Sequence, residues 1–112
     1  MKKITFGLLL IFGALAHAGS LGVGSQTCPS SGVKQLSTTQ TKATWVIVQA
    51  PSANAGSVYV GNISVSTSKG VYITSAQSLP LPAAANTQPY DLSQIYIACS
   101  NSNDTVTFLY LQ

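Results

Sequence analysis

The side chains suited to chemistry are few: Asp91 and Asp104, Cys28 and Cys99, and the lysines Lys34, Lys42 and Lys69. No Arg or Glu occurs, and the single His is His17. General acid–base catalysis draws on His or on a carboxyl shifted by its surroundings. Two aspartates are enough for a paired-carboxylate glycosidase site. Both, however, stand in turn contexts, Asp91 after Pro89-Tyr90 and Asp104 after Asn101-Ser102-Asn103, where Asp is common as a turn and capping residue. A serine nucleophile needs a base and an oxyanion hole. No Gly-x-Ser-x-Gly elbow occurs, and nothing in the spacing pairs a Ser with one of the lysines. Two thiols alone do not complete a metal site. Gly22-Val23-Gly24 lacks the Lys-Ser/Thr ending of a phosphate loop. The sequence therefore predicts no catalytic residue, no metal, no cofactor and no enzymatic activity.

The first residues read as an export signal. Met1-Lys2-Lys3 is basic, and Ile4 to Ala16 is almost unbroken apolar sequence. It ends in Ala16-His17-Ala18, a small-x-small cleavage pattern. A run of about 13 residues is short of the ~20 that cross a bilayer as a helix. The expectation is a signal peptide over residues 1–18, removed with His17, with a retained anchor as the alternative and no membrane span after cleavage. The exported chain would then meet an oxidising compartment, periplasmic or extracellular. There an even pair of cysteines reads as a disulfide. Joining Cys28 to Cys99 closes a loop of about 70 residues, which the chain-entropy model values at about 4 kcal/mol.

The remaining sequence reads as strands positioned by turns. Residues 19–32 (GSLGVGSQTCPSSG) are rich in Gly and Ser without a helical or strand period, so a flexible arm is expected there. From Val33 to Gln112 short β-branched and aromatic runs alternate with turn residues. Thr44 to Val48 is apolar on both faces and predicts a central, doubly covered strand. Ser57 to Val60 is a strand, Gly61-Asn62 a two-residue hairpin, and Ile63, Val65 and Thr67 the next, half-exposed strand. Val71 to Thr74 follows the Lys69-Gly70 turn. Leu79-Pro80-Leu81-Pro82 belongs at a sheet edge or in an extended crossing, because proline cannot donate to a ladder. Ala83 to Pro89 is a loop. Ile95, Ile97 and Cys99 share one face, as do Val106, Phe108 and Tyr110. The sum is an all-β domain over residues 33–112, a single antiparallel β-sandwich, jelly-roll-like or Ig-like, of about seven or eight strands. A small barrel has the same periodicity.

Its surface is nearly uncharged. After the leader, three lysines face two aspartates, a net charge of +1, which gives little attraction for phosphate and no basis for nucleic-acid binding. A near-neutral surface associates readily. Trp45, Tyr59, Tyr72, Tyr90, Tyr96 and Tyr110 offer contact area at low entropic cost; packing against cross-strand neighbours is the other role such rings fill. Tyr90, between a proline-containing loop and Asp91, stands apart. Trp45, Tyr59, Tyr72, Tyr90 and Tyr96 are the expected interaction surface, for protein partners or for a host-surface glycan.

From about Lys42 to Leu111 several segments carry a resemblance in order. These are Trp45-Val46-Ile47-Val48-Gln49-Ala50-Pro51, Gly56 to Asn62, Val65 before Lys69-Gly70-Val71, Gln77 to Leu81, Asp91 to Ile97, and Asp104 to Leu111. Together they resemble small phage virion structural proteins, including decoration-type domains. The resemblance implies a compact β-sandwich without enzymatic activity on the outside of a virus particle, a homo-oligomer or attached to the capsid, and it brings no binding residues with it. The export signal and the Cys28–Cys99 pair depart from that group. A particle assembled at the cell envelope, or a host that has taken the domain for an exported role, would reconcile them. The competing expectations are an adhesive or glycan-binding module, a pilin-like subunit completed by a neighbour's strand, and a periplasmic enzyme inhibitor.

Overall fold

A computed structural model describes residues 20–82 and 88–112. The expected signal peptide, with His17, and residues 83–87 of the expected loop lie outside that range. Among the described residues the strands are β1 (Leu21–Thr27), β2 (Lys34–Gln35), β3 (Lys42–Ala43), β4 (Trp45–Gln49), β5 (Val58–Gly61), β6 (Val71–Ile73), β7 (Ser78–Leu81), β8 (Tyr90–Asp91), β9 (Tyr96–Cys99) and β10 (Thr105–Leu111). One turn of 3-10 helix spans Leu92–Gln94. All the strand pairs are antiparallel. One sheet has the order β1-β10-β4-β7, a second the order β2-β9-β5-β6, and β3 with β8 forms a small ribbon. The chain is an antiparallel β-sandwich, as its alternating runs predict.

Alternation decides what the sandwich buries, because successive side chains on a strand point to opposite faces. Val46 and Val48 of β4, Val58 of β5, Ile97 of β9 and Val106 of β10 are fully buried, joined by Leu36 and Leu92. Each such side chain contributes on the order of 1.5–3 kcal/mol by leaving water. Val106, Phe108 and Tyr110 share the inner face of β10, and Leu79 and Leu81 pack on the same core from β7. β7 is an edge strand with Pro80 opposite Ile47, as its prolines require.

Three expectations are corrected. Leu21 to Thr27 is not a flexible arm but a seven-residue strand paired along its length with β10. Its inward positions are Gly22, Gly24 and Gln26, so no apolar period marks the buried side. Gly22 stands opposite Tyr110 and Gly24 opposite Phe108, and a Cβ on either glycine would overlap the facing ring. The Phe108 and Tyr110 rings are stacked with centroids 6.0 Å apart and cover the bare backbone of β1, an aromatic compensation for glycine in a strand. Gln26 Nε2 donates to the Leu36 carbonyl at 2.9 Å, joining β1 to the layer opposite.

The second correction concerns β4, which is central but covered on its Val46 and Val48 side alone; Trp45 and Ile47 lie half-buried on the outer face. The third concerns the connection from β5 to β6. Gly61-Asn62 does not make a two-residue hairpin, and Ile63 to Thr67 is not a strand. Asn62 Oδ1 accepts the Ser64 N–H at 2.8 Å, and the Asn62 carbonyl accepts the Val65 N–H at 2.9 Å. Such local side-chain bonds compete with ladder formation. Val65 turns back to a buried position against Gly61 and Gly70. Gly70, at φ +135°, takes a backbone conformation that a side chain would strain.

Cys28, immediately after β1, is bonded to Cys99 of β9, with Cα atoms 5.8 Å apart and a sequence separation of 71. The expected bridge thus ties the edge of one sheet to the middle of the other. Reduction, or the Cys28→Ser/Cys99→Ser double variant, is expected to lower folding stability by about 4 kcal/mol while far-ultraviolet circular dichroism keeps its β signature; a thermal melt with and without reductant checks this. Gly24→Ala forces a methyl group against Phe108 and is expected to cost about 1–3 kcal/mol, as overpacking does, read by denaturant titration.

Candidate functional site

The register places the residues that point away from the core into rows. On the outer face of the first sheet, Leu21, Leu111 and Trp45 form one row. Val23, Leu109, Ile47 and Pro80 form the next, and Ser25, Thr107, Gln49 and Ser78 the third. The first two rows are wholly apolar and the third is polar but uncharged. Leu21 is 64% exposed and Val23 78%. A shallow depression of about 560 Å³ lies over these rows, lined by Val23, Ser25, Ile47, Gln49, Thr107 and Leu109 among others. None of those side chains titrates, so the depression offers shape and apolar contact rather than acid–base chemistry.

The second sheet presents a different face. Tyr59 of β5 stands opposite Tyr72 of β6 and Ala98 of β9, while Tyr96 pairs with Gly61 and Gln35 in the neighbouring row. The Tyr59 and Tyr72 rings lie 5.5 Å apart at a tilt of 40°, within the range of favourable aromatic pairing. Tyr72 is 59% exposed, whereas Tyr59 and Tyr96 are half-buried.

Of the five residues expected to form an interaction surface, three, Tyr59, Tyr72 and Tyr96, therefore share a face. Trp45 lies on the outer face of the other sheet. Tyr90 sits in the β3–β8 ribbon, its hydroxyl donating to the Pro82 carbonyl at 2.7 Å. The structure does not gather the five into one site. The residues missed at the outer face of the first sheet are Leu21, Val23, Ile47, Leu109 and Leu111. The signal that could have found them is the pairing of Gly22 and Gly24 with two aromatic residues, which turns Leu21 and Val23 outward.

The aspartates act on the backbone. Asp104 is buried; its Oδ1 accepts the Ala55 N–H at 2.8 Å and its Oδ2 the Gly56 N–H at 2.7 Å. Beside it, Asn54 donates to the Thr105 carbonyl at 2.8 Å and accepts the Thr105 N–H at 3.0 Å. A side chain here takes the place of a strand partner and fastens the 51–57 connection to the start of β10. Asp91 caps the 3-10 turn through Oδ1, which accepts the Ser93 N–H at 3.0 Å, the Ser93 hydroxyl at 2.8 Å and the Thr41 N–H at 3.3 Å. The Ser93 N–H, then its hydroxyl, holds the Asp91 carboxyl below the usual carboxylate range, against a smaller opposing effect of desolvation. Among the described residues no group of three or more His, Cys, Asp or Glu comes together.

No protein-family model matches this chain, and no curated protein or solved structure matches it either.

Because the Asp91 carboxyl binds its proton less tightly when folded, it stabilises the fold above the ordinary carboxylate pKa of about 4. That contribution is lost as pH falls through the lower, folded value. Stability is expected to decline from pH about 4 downward, and Asp91→Asn to flatten that part of the profile. Thermal melts at stepped pH check it.

Proposed function

We propose that this chain is a non-enzymatic structural protein, exported and displayed on a particle or cell envelope, which binds neighbouring proteins through the outer face of its first sheet. The observation that carries this reading is the pair of apolar rows, Leu21–Leu111–Trp45 and Val23–Leu109–Ile47–Pro80, on a face without charge. A contiguous exposed apolar patch rimmed by polar residues marks an interaction site. Here the Ser25–Thr107–Gln49–Ser78 row supplies one such rim. Both aspartates are committed to backbone amides, which supports a role without proton transfer. The disulfide is compatible with an oxidising, exported location. The resemblance to phage decoration-type domains supplies the setting, the outside of a virion.

The face of Tyr59, Tyr72 and Tyr96 favours a second reading, a glycan-stacking module. A glycan array with a hit abolished by Tyr72→Ala would support it; an array without a hit would remove it.

For the leading reading, mass spectrometry of particles and envelopes purified from producing cells is expected to find the chain beginning after Ala18. Leu109→Lys places a charge in the middle of the apolar rows without touching the core. It is expected to reduce incorporation at least about tenfold, the equivalent of a 1.4 kcal/mol loss in binding, with an unchanged melting temperature. Undiminished incorporation of Leu109→Lys would overturn the assignment of this face.

A further inference from the structure

The first sheet also ends in an edge whose hydrogen-bonding groups can be read residue by residue. Ser20 and Gln112 exchange both backbone bonds, at 3.3 and 2.9 Å, and the Cys28 N–H donates to the Asp104 carbonyl at 2.9 Å. In an antiparallel ladder such pairs alternate with pairs that exchange none. Ser20, Gly22, Gly24, Gln26 and Cys28 therefore direct their N–H and C=O groups to β10. Leu21, Val23, Ser25 and Thr27 direct theirs outward, where β1 is the terminal strand of its sheet among the described residues. All four are exposed.

Among the described residues the other edges of the two four-stranded sheets are guarded. β2 has two residues and β6 three, too short to template a strand of any length. β7 carries Pro80, which has no N–H to offer. Short edges and proline are the devices by which sheets avoid edge-to-edge pairing. β1 has none of them: seven residues long, it contains no proline and no charge.

We propose that β1 is the seat of a homodimer, in which the free edges of two copies pair antiparallel about a two-fold axis at Gly24 and join their first sheets into one eight-stranded sheet. The proposal rests on the reading above that the chain works by presenting surfaces, and it names the partner at this one as a second copy.

The sequence of β1 is self-complementary in this register. Leu21 of one copy meets Thr27 of the other, and Val23 meets Ser25. These are the residues whose backbone groups are free, so every outward N–H and C=O of β1 finds a partner. No like charges are opposed, which would otherwise destabilise a cross-strand pair. The two positions nearest the axis are occupied by Gly24 of each copy, so the backbones meet without inward side chains. The symmetry also closes the assembly. A two-fold contact uses the same patch on both copies, and once the β1 edges are joined the new sheet ends at the proline-bearing β7 on both sides. The result is a dimer rather than a fibre, and its outer faces stay free.

Sedimentation velocity and residue-resolved hydrogen exchange on the purified protein test this. The expected result is a dimer in which the amides of Leu21, Val23, Ser25 and Thr27 slow at least about tenfold as protein concentration is raised through the dissociation constant. Those of Gly22, Gly24 and Gln26 are protected throughout. Val23→Pro removes an outward N–H and leaves the ladder to β10 complete; Ser25→Lys puts two charges near the axis. Each is expected to give a monomer with the melting temperature of the parent, and Ser25→Lys stands in if the proline variant folds poorly. A parent that stays monomeric at about 100 μM, where even contacts of micromolar affinity are filled, would overturn the proposal. So would a dimer whose four outward amides exchange freely, the pattern of face-to-face stacking, or one that survives both substitutions. Leu109→Lys leaves this dimer intact. A monomeric parent that still enters particles sinks the dimer alone, and a dimer absent from particles sinks the outer-face reading alone.

Discussion

The covalent tie between Cys28 and Cys99 is the constraint on which the rest of this molecule depends. β1 brings almost nothing of its own to the core, since two of its inward positions are glycine. What keeps it in place is the ladder to β10, the Phe108 and Tyr110 rings laid across its backbone, and the bridge at its C-terminal end. A strand held by hydrogen bonds and borrowed aromatic contact is prone to fray, because local stability follows buried apolar contact. The bridge removes that freedom at one end and anchors it to β9, a central strand of the opposite sheet. With β1 fixed, Leu21 and Val23 have no choice but to stand outside. The exposure of Leu21 and Val23 at the edge of the apolar rows is thus a consequence of how the edge strand is held.

The same economy governs the polar groups. Asp104 completes the backbone bonding of the 51–57 connection, Asn54 that of Thr105 at the start of β10, and Asp91 that of the 3-10 turn. Buried polar groups cost free energy unless bonded, and among the described residues no buried side-chain polar atom lacks a partner. Every aspartate is engaged inside the fold, so the outer sheet faces are left to side chains that neither attract nor repel at a distance. Structural use of both aspartates and outer sheet faces without charge are two sides of one composition, with Lys42 and Lys69 left exposed outside those faces.

How much of this was legible in the sequence follows from which signals are local. The sandwich was, because alternation in β9 and β10 writes the buried face directly: Ile97, Val106 and Phe108; the buried side of β4 was not, because its sequence is apolar on both faces. The edge position of β7 was, because Pro80 cannot donate. The disulfide was, because two cysteines in a chain with an export-like start leave one pairing. β1 was not legible, since its inward face is defined by residues 108 and 110 of another strand. The connection between β5 and β6 was misread because alternation in Ile63, Val65 and Thr67 imitates a strand, while the Asn62 side chain commits the backbone to a turn. The outer face was hidden for a related reason: its rows exist only across strands, joining residues as distant as Leu21, Leu111 and Trp45. The tyrosines were visible as a set, but the division of Tyr59, Tyr72 and Tyr96 from Trp45 and Tyr90 is a matter of sheet membership, which no run of sequence states.

A surface of this kind also limits the kind of association it can serve. Complementary charge raises encounter rates to 10⁸–10⁹ M⁻¹s⁻¹, whereas uncharged patches meet at about 10⁵–10⁶ M⁻¹s⁻¹. Without charge on either the outer face of the first sheet or the β1 edge, there is little long-range force to hasten encounter and little for salt to screen. What remains is contact: apolar area on the face and backbone hydrogen bonds along the edge. In the proposed contacts both would act at short range with little dependence on ionic strength, and differences in their strength would show mainly in dissociation. Slow, salt-tolerant and long-lived contacts suit a subunit that joins an assembly once and stays. They suit poorly a carrier or signalling protein that must exchange partners. On the proposed reading, the near absence of charge, which at first reads as missing chemistry, is what would fit the fold to a lasting place among neighbours.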